Sequence, residues 1–395
     1  MVVTGTSSTA AVTKSVARLA DGRELIYFDE TEHPDRVLVD PRDLPEVVPG
    51  SQIRYDALLD EWVGIAGHRQ TRTYHPPADV CPLCPSTATN QSEIPSPTYD
   101  VVVFENRFPS FAGTGEGTVT GDPAAGLFRT RPGNGRCEIV CFTSDHGSAL
   151  SAMPARRLRT VIEAWVDRTA ALSARLGVEQ VFCFENRGVE IGVTLAHPHG
   201  QIYGYPFATP RTAAAIRSAR QYRERTGGNL FGDLLAGEIS DGARMVTQNE
   251  HWVAFVPFAA RWPVEVHLYP RVQVRDLTEL GDAERDALAT LYLEVIRRME
   301  GLFADSLPAI TGVHQAPVRA DPRDYWLHLE VLTIRRAEGR IKYLAGSESA
   351  MGAFVNDITP EVAAQRLRDV RVPGADAPST VAETRPSGTT GSTVR

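Results

Sequence analysis

Two adjoining runs decide how this chain reads: Val181-Phe182-Cys183-Phe184-Glu185-Asn186-Arg187-Gly188 and, after a short connection, His197-Pro198-His199-Gly200-Gln201-Ile202-Tyr203-Gly204-Tyr205. Both carry the aromatic and β-branched composition of strands. If 197–203 is extended, side chains two apart share a face, so His197, His199 and Gln201 line up. Two imidazoles and an amide on one strand face are costly to bury without partners. A single such His reads as a satisfied structural residue. This pattern, with metal-type residues upstream, points to chemistry. Pro198 donates no backbone hydrogen bond, so the strand is expected at an edge or irregular at that point.

Working outward, Cys81-Pro82-Leu83-Cys84 is a C-x-x-C. Thiolates so spaced can hold one zinc in a tight turn, with two further ligands required. His146, in Cys141-Phe142-Thr143-Ser144-Asp145-His146, and His197 can complete the set. A redox pair, with no thioredoxin-like unit flanking it, and two unrelated thiols are the alternatives. The five cysteines are an odd number and fit a reduced, cytoplasmic protein better than a disulfide framework. The strand-like run Glu61–Ala66 leads into Gly67-His68-Arg69-Gln70-Thr71-Arg72. Arg69 and Arg72 can grip a diphosphate with forked guanidinium donors, or form an ordinary solvated loop.

With 395 residues the chain exceeds the usual growth of one core, so two lobes are expected. A net charge of -8 argues against a general nucleic-acid or anionic-membrane binder. No apolar run approaches the length of a membrane span. Residues 1–20 are Ser/Thr/Ala-rich and read as a disordered tail, as do the Pro/Ser/Thr/Gly-rich residues 372–395. Between them the order strand, strand, long helix, strands occurs twice. Strands near 100–106 and 136–142, a helix over 154–176 stopped by Gly177, and the His-Pro-His strand are followed by counterparts near 251–257, 263–270, 282–303 and 325–331. A further mixed-charge helix is read over 211–225. The fold class is therefore α+β, with duplicated halves over 21–205 and 206–371, antiparallel sheet and long flanking helices. In the second copy, His328-x-Glu330 stands where the first has His-x-His, so that half reads as having lost the nucleophile.

His197-Pro198-His199-Gly200-Gln201 resembles the signature of the galactose-1-phosphate uridylyltransferase family, the transferase branch of the histidine-triad superfamily. The resemblance spans about residues 25–370. Hydrolases of that superfamily carry a further His where Gln201 stands. The resemblance implies histidine-triad-like halves, a homodimer, and a nucleotide sugar and a sugar 1-phosphate as substrates. It implies that His199 attacks the α-phosphorus of UDP-glucose to give a uridylyl-His intermediate, held by Gln201, from which galactose 1-phosphate takes the UMP group. It assigns the structural zinc to Cys81, Cys84, His146 and His197, and phosphate contacts to Arg69 and Arg72. Asn186, Gly192 and Thr194 match the active-site Asn and the phosphate-contacting loop, and Asn106 a nucleoside contact. Arg107 replaces the Asp that follows it in the family, which brings in an adenylyl-transferring relative as the competing reading. A second metal would fall near His314, His328 and Glu330, with Ala215 where the family has Glu. Lys342, Tyr343 and Gly346 resemble the C-terminal segment that family subunits exchange to touch the hexose. The chemistry needs little else: neutral imidazole is a nucleophile at neutral pH, and a sugar phosphate leaves without a strong general acid.

Overall fold

The computed structural model describes residues 12–31, 33, 36, 39–45, 50–71, 76–113 and 126–373. The first half supplies β1 (Thr13–Arg18), β2 (Glu24–Asp29), β3 (Gln52–Asp56), β4 (Glu61–Ile65), β5 (Val101–Glu105), β6 (Thr130–Pro132), β7 (Arg136–Cys141), α1 (Ala155–Ser173), β8 (Gln180–Arg187) and β9 (His199–Tyr205). The second supplies α2 (Pro210–Thr226), α3 (Leu230–Asp241), β10 (Met245–Gln248), β11 (Trp252–Phe255), β12 (Val264–Pro270), α4 (Asp282–Glu300), β13 (Ala309–His314), β14 (His328–Thr333), β15 (Arg335–Ala337), β16 (Arg340–Ile341), α5 (Gly346–Met351) and α6 (Pro360–Asp369).

Eleven strands form one antiparallel sheet in the order β1-β2-β5-β7-β9-β8-β13-β14-β12-β11-β10. Read from its middle, the order is a palindrome of the repeat: β8, β9, β7, β5 and β2 are answered by β13, β14, β12, β11 and β10. The halves join edge to edge, with Arg187 opposite Ala309 and Cys183 opposite Val313. They also share a core. Alternate residues point to opposite faces of a strand, and Val101, Val103, Val140, Cys183 and Ile202 fall on one face. They pack in a single buried cluster with Leu158, Val161, Ile162 and Trp165 of α1, Leu288, Leu291, Val295 and Met299 of α4, and Val266, Leu329 and Val331 from the second half. The apolar stripes read from the sequence are this layer. The duplicated halves therefore share this central cluster. The opposite face of the first half carries Val102, Phe104 and Cys141, covered by Cys81, Leu83, Ile94 and Tyr99.

Three readings need correction. The expected tail over 1–20 contains a strand: β1 pairs with β2 from Thr13–Asp29 to Arg18–Glu24, and Lys14 reaches Asp167 at 2.6 Å. Its Ser/Thr/Ala composition concealed the β-branched Thr13 and Val16. The 154–176 helix ends at Ser173, and Gly177, at φ +88°, turns the chain toward β8. At Pro198 the expected irregularity holds, since β9 begins at His199 with His197 in the bend before it, but the edge position does not: β9 is a central strand between β7 and β8. Helix α3 escaped the sequence reading, although Asn229 caps it by accepting from the Gly232 amide. Residues 374–395, the rest of the expected C-terminal tail, lie outside the described residues.

Because one core serves both halves, damage at its centre should be felt in both. Trp165, 1% exposed and 6.4 Å from the Tyr292 ring across the α1–α4 contact, is the place to test this. Trp165→Ala is expected to cost about 3–5 kcal/mol. Urea unfolding should shift together for probes placed in either half; separate transitions would contradict a shared core.

Candidate active site

Cys81, Cys84, His146 and His197 come together from the C-x-x-C turn, the segment after β7 and the bend before β9, with their ligand atoms all within 4.8 Å of one another. Sγ of Cys84 lies 3.3 Å from Nδ1 of His146 and 3.5 Å from Nδ1 of His197. The tautomer of His197 follows from its surroundings: Nε2–H donates to the Thr143 carbonyl at 2.7 Å, leaving Nδ1 as a lone pair toward the sulfurs. Tyr99, which the sequence reading passed over, places its hydroxyl 2.9 Å from the same Nε2 and donates to the Leu83 carbonyl. Burial lowers the His197 ring to about 4, so it stays neutral. Burial and the neighbouring Cys81 push the Cys84 thiol up to about 12. A Cys84 thiolate therefore requires a cation beside it, and the donor set fits a tetrahedral zinc.

His199 is two residues on. Its Nδ1–H donates to the His197 carbonyl at 2.7 Å, and Nε2 has no partner among the described residues. Burial depresses this imidazole below its ordinary value, opposed by that carbonyl. Gly200 cannot carry a side chain: a Cβ would come 2.9 Å from both the Phe184 carbonyl oxygen and the Phe142 ring. That close approach sets β9 against its neighbours and fixes where His199 and Gln201 stand.

A cavity of about 300 Å³ opens over this face. Arg69, Asn106, Asn186, Gly192, Thr194, His199 and Gln201 all line it, with Leu83, Phe104, Ile139, Phe184 and Tyr203 as apolar and aromatic walls. Sheet register makes its floor: Phe104 lies opposite Ile139, Ile139 opposite Gln201, and Gln201 opposite Phe184. Arg69 donates to Ser110 Oγ. Asn106 accepts the Phe108 amide at 2.9 Å through Oδ1, which leaves its amide nitrogen to the cavity. Arg107 lines the cavity and forms no ion pair with another described residue. Arg72 lies outside the described residues. Lys342, Tyr343 and Gly346 do not line the cavity: the Lys342 ammonium is 3.0 Å from Glu348, and Tyr343 is 71% exposed.

The sequence reading set His328-x-Glu330 against His197-x-His199; the structure shifts that match by two. His328 opens β14 as His199 opens β9, and donates Nδ1–H to the Trp326 carbonyl at 2.8 Å as His199 does to that of His197. Glu330 therefore stands in the place of Gln201. Here α2 and α3 cover the sheet, packing Ile216, Phe231 and Leu235 against Phe255, Tyr325 and Trp326. His328 stacks between Tyr269 at 4.7 Å and His314 at 4.9 Å. Its Nε2 lone pair lies 3.5 Å from Glu330, whose other oxygen is 3.3 Å from Nε2 of His314. Such acceptors face each other only with a proton or cation between them. Arg211 supplies part of that charge, 2.7 Å from Glu330, and His314, His328 and Glu330 retain metal-type donors. Ala215 offers none.

Comparison with known proteins bears directly on this site. Residues 43–209 match the family model described as the N-terminal domain of galactose-1-phosphate uridyl transferase, and residues 215–377 match its C-terminal domain. The chain belongs to the galactose-1-phosphate uridylyltransferase family. It is 45% identical over 376 residues to the galactose-1-phosphate uridylyltransferase of Streptomyces lividans, covering 90% of this chain and 98% of that one. A solved uridylyltransferase structure superposes with a TM-score of 0.69 at 30% identity, over 80% of this chain and 97% of the other. An ADP-glucose phosphorylase from Arabidopsis thaliana shares the fold at a TM-score of 0.61 and 20% identity, over 82% of this chain and all of the other. Within this family, the mixed helix-and-sheet (α+β) architecture and the nucleotidyltransferase class are shared with the relatives.

The His199 geometry sets a pH dependence. A lowered pKa keeps the ring neutral, and hence nucleophilic, to lower pH than free imidazole. Modification of His199 by an electrophile, measured as the difference from His199→Ala, should hold down to about pH 6.5 and fall only below it. A midpoint above that value would contradict the burial argument.

Proposed function

We propose that this chain is a UDP-glucose–hexose-1-phosphate uridylyltransferase, working by ping-pong transfer of UMP from UDP-glucose to galactose 1-phosphate. The observation that carries the reading is the His199 hydrogen bond to the His197 carbonyl, which leaves Nε2 as a lone pair beside a cavity lined by amides and Arg69. Nε2 attacks the α-phosphorus; the bond to the bridging oxygen breaks, and glucose 1-phosphate leaves. The ring becomes cationic in the uridylyl-His intermediate, and the His197 carbonyl, already accepting from Nδ1–H, stabilises that charge. Gln201 donates its amide to a nonbridging oxygen. Being neutral, it offers no base to a water molecule, which favours transfer over hydrolysis. The Thr194 hydroxyl, the Gly192 backbone and Arg69 with Arg72 hold phosphate oxygens, Asn186 steadies the intermediate, and Asn106 takes the nucleoside. The phosphate of galactose 1-phosphate then attacks the same phosphorus, and His199 leaves as neutral imidazole.

Cys81, Cys84, His146 and His197 would hold a structural zinc that anchors the bend before β9. His314, His328 and Glu330 would hold a second ion, away from the reaction. The chain from Lys342 to Val355 displays Tyr343, Leu344, Met351, Phe354 and Val355 to solvent, which supports a homodimer in which this arm reaches the partner's hexose end. No helix among the described residues is long and apolar enough to cross a membrane. All five cysteines are free, which supports a cytoplasmic location.

Incubation with α-³²P-UDP-glucose alone should leave acid-labile label on the protein, absent from His199→Ala. Label only from the ADP-glucose counterpart would select the adenylyl reading, and no label would remove both. Metal analysis supplies a separate check: Cys84→Ser should lose one equivalent of zinc together with thermal stability, whereas His328→Ala should leave that equivalent in place.

A further inference from the structure

The cavity floor is a ruler. The row Phe104–Ile139–Gln201 crosses three neighbouring strands, and at a spacing of about 4.8 Å per strand its ends are about 10 Å apart. That is the reach of a nucleotide from its phosphorus to the far edge of its base, rather than to its ribose. A nucleotide with its phosphorus over Gln201 and His199 would extend its base along Ile139 and Phe104, in the cavity that Leu83 also lines. At the β5 end stands Glu93, the one acidic residue among those lining the cavity.

Glu93 is a built feature. The residue is 8% exposed, and its backbone amide donates to the Pro82 carbonyl at 3.1 Å, beside the zinc-type turn. Its Oε2 accepts from Arg23 at 2.5 Å and from Arg42 at 3.2 Å. Arg23 also donates to the Glu105 carbonyl at 2.8 Å, which pins the carboxylate to the end of β5, next to Asn106. Oε1 has no protein partner among the described residues, and Glu93 is among the residues lining the cavity. A buried, clamped carboxylate with one open acceptor calls for a donor on the ligand.

We propose that Glu93 is a specificity-determining residue that reads the base, accepting the imide N3–H of uracil through Oε1. This rests on the nucleotidyl-transfer reading of the cavity. Cytosine presents a ring-nitrogen acceptor at that position, and adenine presents N1, so each sets an acceptor against the carboxylate. Arg107 is then not the residue that selects uridine. The selection is made by an acid brought from the loop after Cys84, through Arg23, where no sequence motif marks it.

The test compares donors in single-turnover labelling of His199. Glu93→Gln keeps the shape and can keep its oxygen on Arg23, which turns an NH₂ group toward the base. The preference for UDP-glucose over CDP-glucose should then fall about tenfold or more. Equal losses for both donors, or an unchanged ratio, would overturn the assignment, as would a collapse of the UDP-glucose to 2′-deoxy-UDP-glucose ratio in its place, which would mark a ribose contact. If the variant does not fold or loses zinc, the wild-type enzyme decides: UDP-glucose methylated at N3 should be a donor at least about tenfold poorer, and equal use sinks the proposal. Failure of UDP-glucose itself to label His199 would instead remove the transfer reading, so the two failures are distinguishable.

Discussion

The 2.7 Å hydrogen bond from Nδ1 of His199 to the carbonyl oxygen of His197 joins two requirements that could have been met separately. His197 spends its side chain among Cys81, Cys84 and His146 and its backbone on the neighbouring imidazole. The position of the reactive nitrogen is thus inherited from the metal-type cluster through two residues of chain, without a mobile linkage. Pro198 suits this junction. It accepts from the Phe142 amide through its carbonyl but donates nothing, so the chain leaves the bend and enters β9 without an orphaned N–H. Gly200 then lets β9 approach Phe184 and Phe142 closely enough to present His199 and Gln201 to the cavity.

The two halves show what the same local geometry becomes when the surroundings change. His328 makes the same backbone hydrogen bond at the start of an equivalent strand, yet stacked rings and the cover of α2 and α3 enclose it. Glu330 stands in the place of a neutral amide, and it is held well below the usual carboxylate range by His314 and His267, against the opposing effect of burial. An open face with an amide can receive a phosphoryl group. A covered face with a carboxylate gathers cations, and its three histidines and Arg211 converge on that one group.

What could be read from the sequence was local. The His-Pro-His-Gly-Gln run, the C-x-x-C turn and the apolar stripes of α1 and α4 announce themselves through spacing alone, and the doubled order of elements follows from them. What could not be read depends on partners distant in the chain. Strand β1 is a strand because β2 lies beside it; its own composition argues for a tail. The correspondence of His328 with His199 was misjudged by two residues because strand register is set by cross-strand pairing, which spacing does not encode. The role argued for Glu93 is hidden for the same reason: Arg23 and Arg42 give it its position, and neither is near it in sequence.

The seam between β8 and β13 also bears on how such a chain is made. β8 is complete at Arg187, but the strand that closes its free side begins only at Ala309. During synthesis the first half therefore emerges with the backbone N–H and C=O groups of that β8 edge unpaired, of the kind that invites pairing with other nascent chains. The residues lining the cavity are all translated before that edge can be capped, and the strand that caps it comes from the C-terminal half.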